Sequence, residues 1–172
     1  VVYSGEKTVH DARLIIEGTV SSVYGGSSSN GNSKLNQPCI ITTENTTLLI
    51  RGTVLNNVYA GGYSIGSGSK SNNSGTTRLI VTDGAEIRGN LFFGGNSQSE
   101  VDPDLLDYCA ARKQSPQCTD EKIFVSTIVD DVQAAVYGTI WGKVVYDGQS
   151  AGEKSSALLR DYHFVETAPE DM

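Results

Sequence analysis

The chain has 172 residues, and its acidic residues outnumber the basic ones to give a formal net charge of −7. That charge argues against a nucleic acid or an anionic membrane surface as the main partner. No apolar run approaches the roughly 20 residues that a membrane-spanning helix needs, so membrane insertion is not expected. Val and Ile together outnumber Leu by more than two to one beside 19 Gly, which favours strands and turns over a helical bundle. The length suits a single domain covering residues 1–172.

A short pattern recurs along the chain: Gly, a β-branched residue, a polar gap, an apolar–aromatic pair and then Gly. Two of the copies read G-T-V-S-S-V-Y-G-G and G-T-V-L-N-N-V-Y-A-G-G. Full copies occupy residues 18–26, 52–62, 84–95 and 138–148. A part-copy lies at each end, and the one at 155–160 resembles residues 46–51. Repeats of this kind predict that equivalent segments pack against one another.

The spacing of the copies locates the extra length in the chain. Equivalent apolar positions lie 22, 35, 33 and 53 residues apart. These positions are Val1, Val23, Val58, Leu91 and Val144. In the last three intervals, the residues in excess of 22 lie just after the Gly-Gly of each copy or its equivalent. The spacing therefore indicates a basic unit of 22 residues with loops added at one corner, at about residues 27–37, 63–75 and 96–122.

A unit this short cannot close its own sheet, whereas stacked units can pair strand on strand at about 4.8 Å. We therefore predict an all-β chain folded as a parallel β-helix (β-solenoid) of about five coils, with one short helix in the longest insertion. A β-propeller or a β-trefoil would also contain repeats of similar size. Both alternatives need more regular spacing than this chain has, so the β-solenoid is the favoured architecture.

The alignment of the copies predicts columns of stacked side chains. The apolar columns are Val20, Val54, Ile87 and Ile140, and Val23, Val58, Leu91 and Val144. Tyr24, Tyr59 and Phe92 are expected to form an aromatic ladder, with Asn57 above Asn90. Charged residues also align, because Glu17, Arg51 and Asp83 each lie just before the first Gly of a copy. We expect these charges to pair across strands and fix the register. A charged ligand groove is the alternative.

Three cysteines and two glycosylation sequons bear on the compartment. Cys109 and Cys118 lie nine residues apart, which favours a local disulfide, although free thiols or a bridge to Cys39 remain open. Asn45 and Asn72 each begin a sequon. Because disulfides persist in oxidising compartments, these features favour an extracellular location.

The longest insertion, at 96–122, contains the one helix-like stretch of the chain. Asp102 is suited to cap this helix, and Pro103 fits its first turn. We expect a disulfide-bonded cap on the side of the β-solenoid. Asp102, Asp104 and Asp107 are weak candidates for a calcium site, since they supply only part of the six to eight oxygens that Ca²⁺ takes. No other cofactor is predicted.

The sequence contains no convincing catalytic constellation. Ser64 lies in a G-x-S-x-G match, but the Gly- and Ser-rich segment after it cannot form the helix that a nucleophile elbow needs. His10 and His163 lie near opposite ends of the chain, and we expect them at the surface or in packing roles. Asp130 and Asp131 are adjacent, so in a strand they would point to opposite faces. A turn between strands is the simpler interpretation, and no catalytic residue is predicted.

Aromatic and basic side chains are the remaining candidates for contact with a partner. Tyr63, Tyr108 and Trp141 could stack on a sugar or a peptide, and Arg112 lies beside Tyr108 on the longest insertion. Trp141 follows a core position, so it could face outward or pack under a loop.

The G-T-V-x-x-V-Y-G-G repeats resemble those of large secreted or cell-surface β-helix proteins of the adhesin and autotransporter-passenger type. The resemblance covers about residues 1–160 and is architectural, so it implies an extracellular or cell-surface location but no catalytic or binding residue. The leading hypothesis is a structural or adhesive module. Its loops at 27–37, 63–75 and 96–122 would present one edge to a protein or glycan partner.

Two other functions fit the same pattern. A carbohydrate-active β-helix enzyme, either a polysaccharide lyase or a hydrolase, would need a cleft of carboxylates and basic residues. Its candidates are Glu17, Arg51, Asp83 and Arg88. A self-assembling filament or coat subunit is the third possibility. The chain opens in mid-pattern and closes on a partial coil at 150–172, so we expect part of a larger protein or a subunit that associates end to end.

Overall fold

The computed structural model describes residues 5–30, 39–151 and 155–166. Most of these residues lie in strands, which follow the chain as successive repeats. The first repeat contains β1 (Gly5–Ile16), β2 (Thr19–Val20), β3 (Val23–Tyr24) and β4 (Ser28–Asn30). The second contains β5 (Cys39–Ile50), β6 (Thr53–Val54), β7 (Val58–Tyr59) and β8 (Tyr63–Ser67). The third contains β9 (Lys70–Val81), β10 (Glu86–Ile87), β11 (Leu91–Phe92) and β12 (Asn96–Glu100).

A helical segment then precedes the last strands. It contains α1 (Pro103–Ala110), a 3₁₀ turn (Pro116–Cys118) and α2 (Asp120–Phe124). The fourth repeat contains β13 (Val125–Val136), β14 (Thr139–Ile140), β15 (Val144–Val145) and β16 (Gln149–Ser150). The described part of the chain ends with β17 (Ser156–Leu159) and β18 (Tyr162–Phe164). Neither helix in this part of the chain has the length and apolar character needed to cross a membrane.

The strands form four parallel sheets, and each sheet takes one strand from each successive repeat. The long sheet has the order β1-β5-β9-β13, with β17 and β18 both paired to β13. The others have the orders β2-β6-β10-β14, β3-β7-β11-β15 and β4-β8-β12-β16, and we call the last of these the fourth sheet. The prediction of an all-β chain with parallel pairing between copies is confirmed. All-parallel pairing does not fit a β-propeller, whose blades are antiparallel.

The predicted apolar columns are present in the register of the short strands. Val54 pairs with Val20 on one side and with Ile87 on the other, and Ile87 in turn pairs with Ile140. The column of Val23, Val58, Leu91 and Val144 is paired in the same way. Val54, Ile87, Val58 and Leu91 belong to the buried core together with Leu48 and Leu79 of the long sheet. Burial of these side chains supplies the main driving force for stacking.

The aromatic and amide ladders are also confirmed. The Tyr59 ring stacks on Tyr24 at 4.9 Å between centroids and on Phe92 at 4.7 Å. The Asn57 Oδ1 atom accepts a hydrogen bond from the Asn90 backbone N–H at 2.8 Å, and Asn90 does the same for the next repeat. Each amide thus satisfies a backbone donor at a turn, where no strand partner is present.

The prediction of polar loops at one corner is wrong for residues 28–30, 63–75 and 96–100, although residues 101–122 do form an inserted segment. Residues 63–75 contain β8 and the beginning of β9, and 96–100 form β12. In the segment 27–37, residues 28–30 form β4, and residues 31–37 lie outside the described part of the chain, as does Val1. The physical reason is that backbone pairing between copies, rather than apolar side chains, holds these strands. The basic unit among the described repeats therefore includes a strand of the fourth sheet.

Between the fourth sheet and the long sheet, buried hydroxyl groups take the place of apolar side chains. Ser64 donates to Ser126 at 2.8 Å, and the Ser97 and Thr127 hydroxyls also lie 2.8 Å apart. All four residues are buried. A buried hydroxyl that finds a partner avoids the cost of desolvation, so a serine-rich segment can form a core strand here.

The recurring Gly-Gly has a steric cause at the corner before the fourth sheet. A Cβ atom at Gly62 would lie 2.0 Å from Ser71 Oγ and 2.3 Å from the Ser27 carbonyl oxygen. A Cβ atom at Gly95 would lie 2.6 Å from the carbonyl oxygen of Gly62. Successive repeats approach too closely at this corner for any side chain.

The last partial repeat differs from the predicted alignment of 155–160 with 46–51. Leu159 pairs with Val129, near the middle of β13, whereas Leu49 of the second repeat pairs with Ile80, near the end of β9. The same register continues past Arg160, whose backbone N–H donates to the Val129 carbonyl oxygen, into β18, which pairs with residues 132–134. The Tyr162–Phe164 segment therefore occupies the place predicted for 155–157, and its rings pack around the buried Phe93.

Candidate functional site

A helical segment at residues 101–124, called here the insertion, projects from the strands. The Asp102 carboxylate accepts a hydrogen bond from the Asp104 N–H at 3.0 Å and caps α1, as predicted. The predicted Cys109–Cys118 disulfide is present and joins α1 to the 3₁₀ turn, while Cys39 is free and buried. The prediction of a single helix omitted α2, which begins after a Thr119 cap and carries two acidic residues in its first turn.

Polar contacts from α2 hold the insertion against the long sheet and its last partial repeat. The Lys70 ammonium at the start of β9 donates to the Lys122 carbonyl oxygen at 2.6 Å. Glu121 of α2 forms an ion pair with Arg160, which follows β17. Because the disulfide restrains the loop from within and these contacts attach it at α2, the insertion has a defined position over the sheet.

A cleft of about 600 Å³ lies between the insertion and the long sheet, and we call it the insertion cleft. Its wall on the long sheet comes from four successive repeats. This wall consists of Glu6, Ile40, Lys70, Asn72 and Ile128. The insertion contributes Leu105, Gln117, Thr119, Glu121 and Lys122. Aliphatic side chains, amides and charges of both signs therefore face one space, which is the usual composition of a recognition site.

The Lys70 ammonium in the insertion cleft is largely withdrawn from solvent. Burial lowers the pKa of the Lys70 ammonium, Glu121 raises it, and Lys122 lowers it. The Asn72 Oδ1 atom on the same wall is buried and has no hydrogen-bond partner among the residues that the structure describes. An unsatisfied amide oxygen and a desolvated ammonium both favour a ligand that supplies polar partners.

The four predicted binding residues do not form one site. Trp141 is 67% exposed in the turn between β14 and β15. Tyr108 lies on α1 with the Arg112 guanidinium 4.3 Å from its ring centre. Tyr63 is at the start of β8 and packs its ring against Tyr24 at 5.4 Å. Within the described part of the chain, none of the four lines the insertion cleft.

The charges predicted for a carbohydrate-active site do not form one cluster in the structure, and two of them pair with each other. Arg51 Nη1 lies 3.0 Å from Glu17 Oε1 on the neighbouring repeat, as the register prediction requires. Arg88 Nη2 lies 3.7 Å from Oε2 of Glu86, which is two residues earlier in the chain. Asp83 is in the exposed turn before β10. Ser64 is fully buried and hydrogen-bonded to Ser126, so its hydroxyl cannot reach a substrate.

The three aspartates predicted as weak calcium candidates do not come together. Across residues 5–30, 39–151 and 155–166, one group of three side chains has ligand atoms close enough for a metal ion. It consists of Asp131, Asp161 and His163. His163 Nε2 lies 3.2 Å from Asp131 Oδ1 and 3.2 Å from Asp161 Oδ2.

Adjacent aspartates in β13 have different partners. Asp130 and Asp131 are part of this strand, at a break in its register, rather than in the turn predicted between strands. Asp130 accepts from Arg160 Nε at 3.2 Å, whereas Asp131 faces His163. The two carboxylates therefore do not act together. His10 is at the surface, as expected, with its Nδ1 atom 2.8 Å from Glu44 Oε2.

Sequence reasoning missed both the insertion cleft and the His163 group. Ile40, Lys70 and Ile128 line one wall because β5, β9 and β13 pair side by side, but residues 70–75 were predicted as loop. His163 reaches Asp131 because β18 pairs with β13, which the predicted alignment of the last repeat did not allow. Correct alignments of the polar strands and of the last partial repeat would have revealed both.

Comparison with known proteins adds no family assignment. No family model matches the chain, and no curated protein and no solved structure is significantly similar to it.

Proposed function

We propose that the chain is a β-solenoid module of a secreted or cell-surface protein, and that it binds a protein partner in the insertion cleft. The β-solenoid supplies a rigid framework, and the insertion supplies the second wall of the site. The observation that carries the proposal is the cleft itself, a space of about 600 Å³ between a regular sheet and a disulfide-bonded segment.

The order of strands in the four sheets supports the β-solenoid. Every described repeat passes through the sheets in the same sequence, and neighbouring repeats pair in parallel. A chain that advances by one strand spacing per turn produces this pattern. Five such turns would give a stack of roughly 24 Å at about 4.8 Å per strand.

The disulfide supports an extracellular location. Cys109 and Cys118 are joined in a segment with many exposed polar residues, and such bridges persist where the environment is oxidising. Asn45, the first residue of a sequon, is exposed in β5 and accessible to glycosylation.

The lining of the insertion cleft favours a protein segment over a glycan. Ile40, Leu105 and Ile128 provide aliphatic contact, and Lys70 and Glu121 provide charges of opposite sign. No aromatic ring is among the described lining residues, so a sugar ring would find no stacking platform there. A peptide with an apolar side chain beside a polar group matches this composition.

A pair of substitutions in the insertion tests the proposal. Gln117 lines the cleft, and Gln114 is exposed on the same segment outside it. The wild-type chain is screened on arrays of extracellular proteins and of glycans, and Gln117→Trp and Gln114→Trp are compared on each hit. We expect a protein hit that Gln117→Trp weakens at least tenfold and Gln114→Trp leaves unchanged. Equal binding by the two variants, or hits on glycans alone, would contradict the proposal.

A self-assembling filament is a second candidate function, supported by the ends of the sheets. Within the described part of the chain, β1 pairs on one side only, and so do β17 and β18. Strands at both ends run in the same direction, so the β1 of a second copy could continue the long sheet. Sedimentation velocity and negative-stain microscopy over a wide concentration range would show filaments, whereas monomers throughout would exclude this function.

A further inference from the structure

We propose that Asp131, Asp161 and His163 form a binding site for one divalent transition-metal ion, with Zn²⁺ the best match. The site is separate from the insertion cleft and does not depend on the function proposed for it. It would connect β18, the last described strand, to β13.

The strand pairing explains how these residues meet. Val132 pairs with Tyr162, and Gln133 pairs with His163. Asp131 precedes Val132 and Asp161 precedes Tyr162, so the same register sets the two aspartates side by side. Because side chains alternate along a strand, Asp131, Asp161 and His163 lie on one face of this strand pair.

Two of the three distances between ligand atoms are close to those in a metal site. His163 Nε2 is 3.2 Å from a carboxylate oxygen of each aspartate, and all three ligand atoms lie within 4.8 Å of one another. In a tetrahedral zinc site with bonds of about 2.0–2.2 Å, neighbouring ligand atoms are about 3.3–3.5 Å apart. A single imidazole N–H, by contrast, can point at only one of the two oxygens.

The state of the Asp131 carboxylate is an independent observation. The Asp131 side chain is 28% exposed, but its Oδ1 atom is inaccessible to solvent and accepts no hydrogen bond from the described residues, although it lies 3.2 Å from His163 Nε2. A buried carboxylate oxygen without a donor is costly, and a coordinated cation would satisfy it.

The charge balance favours a divalent cation. Two carboxylates and a neutral imidazole carry a charge of about −2, which Zn²⁺ neutralises. The Arg160 guanidinium, next to Asp161 in the chain, contacts Asp130 and Glu121. Three protein ligands leave a fourth position open to water, as in zinc sites that retain an exchangeable ligand.

Titration of the metal alone tests the site. The untagged chain is treated with EDTA, dialysed, and titrated with ZnCl₂ at pH 7.5 by isothermal calorimetry. We expect one Zn²⁺ per chain, with affinity lowered at least tenfold in His163→Ala and unchanged in His10→Ala. His10 is the matched control because the chain has two histidines, and His10 contacts a single carboxylate.

Two further measurements keep the test independent of folding defects. In the wild-type chain, Zn²⁺ should shift the ring signals of His163 in NMR spectra and leave those of His10 in place. Asp131→Asn keeps the size of the side chain, and it should also weaken binding at least tenfold. Absence of zinc binding by the wild type, or binding that survives both His163→Ala and Asp131→Asn, would overturn the proposal.

Discussion

Ser64 and Ser126 share a hydrogen bond of 2.8 Å between the fourth sheet and the long sheet, and both side chains are buried. This contact shows that buried hydroxyl groups, as well as apolar side chains, join the two sheets. It also explains why segments with a loop-like composition form strands.

Replacing Ser64 by Ala should lower the free energy of unfolding by about 1–2 kcal/mol, because the substitution leaves the Ser126 hydroxyl without this partner. Ser28→Ala is the control, since Ser28 lies in the same sheet but is exposed. Urea titrations of both variants measure the difference. Equal stability of the two variants would mean that the buried hydroxyl network contributes little.

The apolar columns were predictable from the sequence, and the serine columns were not. Val20, Val54 and Ile87 carry a periodic signal because only an apolar side chain gains from burial at their positions. Ser64 and Ser97 carry no such signal, because serine is equally common in loops and the buried hydroxyls depend on partners distant in sequence.

The insertion was predictable in its parts but not in its position. The Asp102 cap and the Cys109–Cys118 pairing are local, so spacing within the segment is sufficient to infer them. The insertion cleft depends on Lys70 reaching the Lys122 carbonyl oxygen, 52 residues away, which no local pattern encodes.

Gly62→Ala should destabilise the chain by about 2–4 kcal/mol, because the new Cβ atom would overlap atoms of Ser71 and Ser27. Gly18→Ala is the matched control, since a Cβ atom there meets no atom within 4 Å. Thermal unfolding of the two variants gives the comparison. If Gly18→Ala proved as destabilising as Gly62→Ala, the steric explanation of the Gly-Gly corner would be wrong.

Reduction of the Cys109–Cys118 disulfide should loosen the insertion without unfolding the sheets. The bridge closes a short loop and restrains it by roughly 2–3 kcal/mol on a chain-entropy estimate. Hydrogen exchange with and without dithiothreitol should therefore show faster exchange in residues 101–124 and little change in β9. Loss of protection throughout the long sheet would show that the sheets need the disulfide, and it would contradict this prediction.

The His10–Glu44 pair should respond to pH. The hydrogen bond and the charge of Glu44 raise the pKa of His10, so the folded state holds this proton more tightly than the unfolded state. The contribution of the pair to stability is therefore complete below the unfolded pKa of about 6.5 and is lost as the pH rises through the folded value.

NMR titration of the two histidines checks this directly. The pKa of His10 should lie above 6.5 and return toward it in Glu44→Gln. A wild-type pKa at or below that of Glu44→Gln would show that the pair does not form.

The most direct test of the parallel stacking is the pattern of methyl contacts along one column. In NMR spectra of a chain with labelled Val and Ile methyl groups, Val54 should show strong cross-peaks to Val20 and to Ile87. Ile140 should show one to Ile87 but none to Val54, since non-neighbouring strands in a sheet are roughly 10 Å apart. Direct contact between Val54 and Ile140, or absence of contact between Val20 and Val54, would contradict the account.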